Sequence, residues 1–245
     1  MVSHQEIFAR YKDFLRFSKQ EIYPLLIAVI VTGFVFSFRD WGETTFDHLI
    51  GLKNLLVMIL VVAISFVFRI SCQKMYGLGE GYKSEFQVWW GGLGVMLITA
   101  LVTVGYIPLV LLGSIVPQVL IKHRLGEYRG GWSTWHTQMI PAWGVLGNLI
   151  LAILFAIGGW FFPQSYFFSK GVLLNLIMAF CSLLPLPQLD GLAIFFGRRG
   201  LYYLLLLAAL LGAVLLLTHT KIGLIASVVI ATVIAFIYIM TSSNV

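Results

Sequence analysis

Apolar runs of bilayer length dominate this chain and leave it few ways to fold in water. A helix needs about 20 largely apolar residues to cross a membrane. Runs of that order lie near 22–38, 51–73, 141–162, 171–187, 201–218 and 221–241. A further apolar stretch, 88–121, is interrupted by Gly105, Pro108, Gly113 and Pro117. With 60% of the 245 residues hydrophobic and 11% charged, the chain holds more apolar surface than a soluble core can hide. The expectation is an all-α polytopic membrane protein of about six transmembrane helices, with a re-entrant hairpin or short β segment.

Charge placement orders these runs. Residues 1–21 mix Arg10, Lys12, Asp13, Arg16, Lys19 and Glu21 with Phe8, Tyr11, Phe14, Leu15 and Phe17. They lack the apolar core and small-residue cleavage site of a signal peptide. They read as an amphipathic cytoplasmic segment on the membrane surface, ahead of a single transmembrane domain over 22–245. If 88–121 crosses once, the basic residues divide almost evenly between the two sides. If it enters and returns, twelve lie inside and four (Arg39, Lys53, Lys170, Lys221) outside. The positive-inside rule prefers the second arrangement, with both termini cytoplasmic. The net charge of +6 therefore needs no nucleic acid to explain it. Cys72 and Cys181 form no zinc-type pair and no disulfide framework, and read as small buried hydrophobes.

One acid stands out. Asp190 is the only acidic residue after Glu127 and closes the string Leu183-Leu184-Pro185-Leu186-Pro187-Gln188-Leu189-Asp190-Gly191. An ionisable group at membrane depth costs roughly 2.5–3.5 kcal/mol on insertion scales, so it marks a function or a paired site. The string resembles the Pro-x-Pro-x-Leu-Asp-Gly signature of the site-2 proteases, intramembrane zinc metalloproteases in which that Asp is the third metal ligand. Two further segments are similar in the same order. Gly81 to Trp89 looks like the extended segment after the catalytic helix. Gly144 to Ala152 resembles the Gly-Pro-x-x-Asn helix, with Val145 in place of Pro and Asn148 retained. Ser182 stands where an Asn is usual. The likeness covers roughly 55–200 and implies a site-2-protease-like core over about 51–200, with C-terminal helices over 201–241.

The resemblance also implies a His-Glu-x-x-His helix, whose two histidines bind zinc on one helical face while the Glu activates the bound water. Counted back from Gly81, those positions fall on Arg69, Ile70 and Gln73. No histidine lies between His48 and His123, and no acid between Asp47 and Glu80, so the motif is absent rather than displaced. Arg is a permanent cation and no zinc ligand. Ile accepts no proton, and Gln is a poor ligand. Neither catalytic residues nor a metal or other cofactor are expected, and Asp190 is the one retained ligand position. A buried carboxylate still needs a partner. Arg69 stands where a ligand would point at it, so an Arg69–Asp190 pair is expected, with Gln73 within reach. The competing expectation has Arg69 snorkelling to headgroups.

Other candidates carry less. His123, Glu127 and His136 share a loop, but Gly126, Gly130 and Gly131 argue against a helix presenting them to a metal. The function expected is a non-catalytic, site-2-protease-like membrane protein that scaffolds or sequesters a transmembrane client or partner subunit. Strand addition is the binding mode, because it needs no catalytic group. Ser84, Glu85, Phe86 and Gln87 are the candidate edge strand, 91–121 the hairpin, and Asn148, Pro185 and Pro187 the packing points. One alternative is an active intramembrane zinc protease with an unconventional site. Another is a transporter or channel with Asp190 lining a polar path, which lacks support from further intramembrane charges beyond Arg69 and Lys74.

Overall fold

A computed structural model describes residues 11–42, 47–119, 134–218 and 220–242. Helix α1 (Lys19–Ser37) begins at a capping box: Ser18 Oγ accepts from the Glu21 N–H, and Glu21 Oε2 accepts from the Ser18 N–H at 2.9 Å. Helix α2 (His48–Gly79) starts on the Asp47 carboxylate, which accepts from the N–H groups of Leu49 and Ile50. At 32 residues it spans about 48 Å, longer than a hydrocarbon core. Gly81, with φ +85°, turns the chain out of α2 into strand β1 (Tyr82–Val88). Helix α3 (Trp90–Val102) follows and stops at Val104 and Gly105, both left-handed, where the Gly105 N–H closes on the Ala100 carbonyl at 2.7 Å. Strand β2 (Gly113–Val119) then returns antiparallel to β1, in register from Tyr82↔Val119 to Val88↔Gly113. The chain over 82–119 thus doubles back to the end at which it began.

Helices α4 (Thr134–Phe161) and α5 (Tyr166–Ser182) form an antiparallel hairpin. Their backbones approach where Gly158 leaves room for the Phe168 ring and Gly171 for the Phe155 ring. Short helix α6 (Asp190–Gly197) leads to α7 (Arg199–Leu217) and α8 (Lys221–Ser242). Met58, Phe66, Ile70, Met96, Leu174 and Met178 fill the centre of the bundle. Outward faces carry exposed Leu26, Ile30, Leu56, Leu60, Leu154, Leu204 and Leu207, suited to lipid. Among the described residues four helices, α1, α2, α4 and α7, are long and apolar enough to cross a membrane, and α5 is a shorter apolar helix. The architecture is mostly helical with a two-stranded sheet, consistent with a helical membrane protein.

Several boundaries move. Lys19 to Glu21, assigned by sequence to a surface segment ending at 21, belong to α1, because the capping box starts the helix and buries Glu21. The run at 171–187 leaves the helix at Ser182, since neither Pro185 nor Pro187 can donate to a continuing helix. Both prolines are exposed, and Leu183 and Leu189 on either side are buried. The described part of the stretch 91–121 consists of helix α3, an irregular connection over 103–112 and strand β2. His136 falls in the first turn of α4, while His123 and Glu127 lie outside the described residues.

Candidate functional site

The site is built around α2. Arg69 and Gln73, four apart, project from one face of that helix and meet at Asp190, the first residue of α6. Arg69 Nη2 lies 2.6 Å from Asp190 Oδ2, and both side chains are buried. Gln73 Nε2 donates to the same oxygen at 2.9 Å and lies 3.5 Å from the Pro141 carbonyl. The other oxygen, Oδ1, accepts from the Ile115 N–H of β2 at 3.2 Å. The N-terminus of α6 adds its dipole beneath the carboxylate. Charge-assisted bonds of this kind are the strong ones in a protein interior. Gly144 of α4 makes room for the arrangement: a Cβ there would stand 2.3 Å from Gln73 Nε2.

A second pair lies further along α2. Lys74 Nζ is 2.7 Å from Glu21 Oε2, again with both side chains buried. Glu21 Oε1 accepts from the Phe86 N–H of β1 at 2.7 Å. Phe86 and Ile115 are register partners in the ladder. Hydrogen bonding alternates along an antiparallel pair. The Trp89 N–H to Leu112 carbonyl bond at 2.7 Å fixes the phase, so the Phe86 and Ile115 N–H groups both point away from the ladder. One helix thus supplies two cations to two carboxylates, and each carboxylate caps one outer edge of the same two-stranded sheet.

The other residues singled out by sequence are dispersed. Ile70 is core, 1% exposed. In β1, Ser84 and Phe86 face the interior, whereas Glu85 pairs with Lys83 at 2.7 Å and Gln87 is exposed. Asn148 is wholly buried in α4, and neither amide atom meets a hydrogen-bond partner among the described residues. The pairing of Glu21 with Lys74 carries no signal in the sequence, although Ser18-Lys19-Gln20-Glu21 ahead of an apolar run is a legible capping signal. Beside Asp190 lies a groove of about 550 Å³, walled by β2 (Ser114, Pro117) and α6 (Leu192, Phe196) and floored by Gln138 and Pro141. Gln188, with a left-handed φ of +64°, forms part of its rim.

Fold and site together define a class: an apolar helical bundle in which a paired Asp at a helix start faces an antiparallel strand pair. Within that class the chain is similar to the protein named Putative zinc metalloprotease MJ0611 of Methanocaldococcus jannaschii, at 26% identity over 180 residues, covering 72% of this chain and 83% of that one. No family model matches the chain. No solved structure matches it either. The likeness suggests a metalloprotease-like family.

The zinc that this likeness implies does not fit the residues present. Asp190 is surrounded by three donors, one of them a guanidinium, and a metal would need acceptors there. Among the described residues no three His, Cys, Asp or Glu side chains cluster closely enough to hold an ion.

Proposed function

We propose that this chain is a membrane-embedded, metalloprotease-like protein that performs no hydrolysis and instead binds a transmembrane partner. One observation carries the reading: the Arg69 guanidinium lies on Asp190 Oδ2 at 2.6 Å, supplying the positive charge that a metal would otherwise bring. A cation in that position repels a second cation. Ile70, at the position where the resemblance implies the Glu, is a core residue whose side chain accepts no proton. The doubling back of 82–119 supports a hairpin entering the bilayer from the cytoplasmic side, with both termini on that side. In this reading β1 offers its outer edge to an extended segment of a partner helix, through the main-chain groups of Ser84 and Phe86.

The test is proteolytic and binding at once. Purified protein supplied with zinc is incubated in phosphatidylcholine vesicles with a synthetic single-span peptide carrying a central Gly-Pro break. The reading expects capture of the peptide by cross-linking and no cleavage. Cleavage lost on Asp190→Asn contradicts it. A second reading, an active zinc protease with an unconventional ligand set, has one observation in its favour, the name carried by the M. jannaschii relative.

A further inference from the structure

The two edges of the sheet are closed in different ways, and the difference points to a latch. On β2, the outward Ile115 N–H is held by Asp190, which is fully buried and fixed by Arg69 and Gln73 from the middle of the bundle. The next outward position along that edge is Pro117, which has no N–H to give. That edge is sealed by groups that cannot leave without dismantling the core. On β1, the outward Phe86 N–H is held by Glu21, which belongs to the first turn of α1. The carboxylate accepts where the carbonyl of an added strand would accept.

Glu21 is buried and is held both from the start of its own helix and from α2. Ser18 closes the capping box, and Lys74 Nζ reaches both Glu21 Oε2 and the Arg16 carbonyl, at 3.5 Å. The same ammonium sits 4.6 Å from the centre of the Phe17 ring. Lys74 is therefore a hub that ties residues 16–21 to α2.

We propose that the turn Ser18–Glu21 is an autoinhibitory latch, with Glu21 occupying the β1 edge in place of a partner strand. Its release from Lys74 opens that edge to one extended segment of an unwound transmembrane helix. This rests on the partner-binding reading above and adds its regulation. It assigns Glu21 and Lys74 a role that fold maintenance alone does not require. A structural pair should hold the ladder together, whereas a latch should leave the ladder intact when it opens.

The experiment uses the full chain in phosphatidylcholine vesicles and compares wild type with Glu21→Met/Lys74→Met, which removes both charges and the acceptor of the Phe86 N–H and leaves no buried ion unpaired. Hydrogen exchange is followed at the Phe86 amide and, as internal reference, at the Trp89 amide within the ladder. In parallel, a photoreactive amino acid in place of Gln87 reports capture of the same single-span peptide. The latch predicts Phe86 exchange about tenfold faster or more, in line with loss of a bond to a charged group, with Trp89 unchanged and cross-linking raised several-fold. Unchanged Phe86 exchange overturns the latch and leaves the partner-binding reading standing. Phe86 and Trp89 exchanging faster together also overturns it, because Glu21 is then a structural brace. An opened edge that captures no more peptide than wild type overturns the latch together with the binding reading beneath it. Should the double variant fail to insert, Ser18→Ala, which removes only the capping hydroxyl, is held to the same criteria.

Discussion

Arg69 and Asp190 define each other. Neither side chain is tolerable alone in an apolar interior, because an unpaired buried ion costs far more than the pair. Arg69→Ala should therefore destabilise the protein by about 3–5 kcal/mol, read as a lower midpoint of thermal unfolding in mild detergent. Arg69→Met/Asp190→Asn should recover most of that loss, since a buried pair replaced by neutral groups is often neutral to stability, and Asn still offers an acceptor to the Ile115 N–H. A double variant no better than the single one contradicts this account of the pair. The pair was legible in the sequence because Asp190 is isolated among apolar residues and the resemblance places Arg69 where a metal ligand would point at it. Asn148, a packing point by sequence, lies wholly buried, an orientation that the apolar run 141–162 does not encode. Its unpartnered amide predicts that Asn148→Leu leaves thermal stability unchanged or raised, while Asn148→Asp lowers it.

Helix α2 and helix α4 meet through glycine. Gly144 faces Gln73 and Gly147 faces Cys72, letting the two backbones come close enough for Gln73 to reach Asp190. Gly144→Ala should cost about 1–3 kcal/mol, the usual penalty of overpacking. Gly144→Ala/Gln73→Ala should cost less than the two single changes added together, because removing the amide clears the space. Additive costs place the clash elsewhere. Element positions came readily from the sequence, since a run of 17–23 apolar residues has one helical solution in a bilayer. Ends did not. The start of α1 is set by a capping box rather than by hydropathy, and the stop of α5 by prolines three and five residues beyond its last residue. The pairing of β1 with β2 links segments about thirty residues apart, and only the strand-like character of the first was visible.

At the scale of the whole molecule, charge placement and chain return make a joint statement about topology. If 82–119 enters and leaves on one side, reporter fusions at the two termini should both register as cytoplasmic. Opposite sides would require that segment to cross once. The proposed function turns on the Arg69 guanidinium standing on Asp190 in place of a metal ion. Zinc content tests it most directly, measured by elemental analysis on full-length protein purified without chelator from zinc-supplemented medium, alongside Asp190→Asn. The account predicts far less than one zinc per chain in both preparations, with no difference between them. Stoichiometric zinc in the wild type that disappears in Asp190→Asn would contradict it.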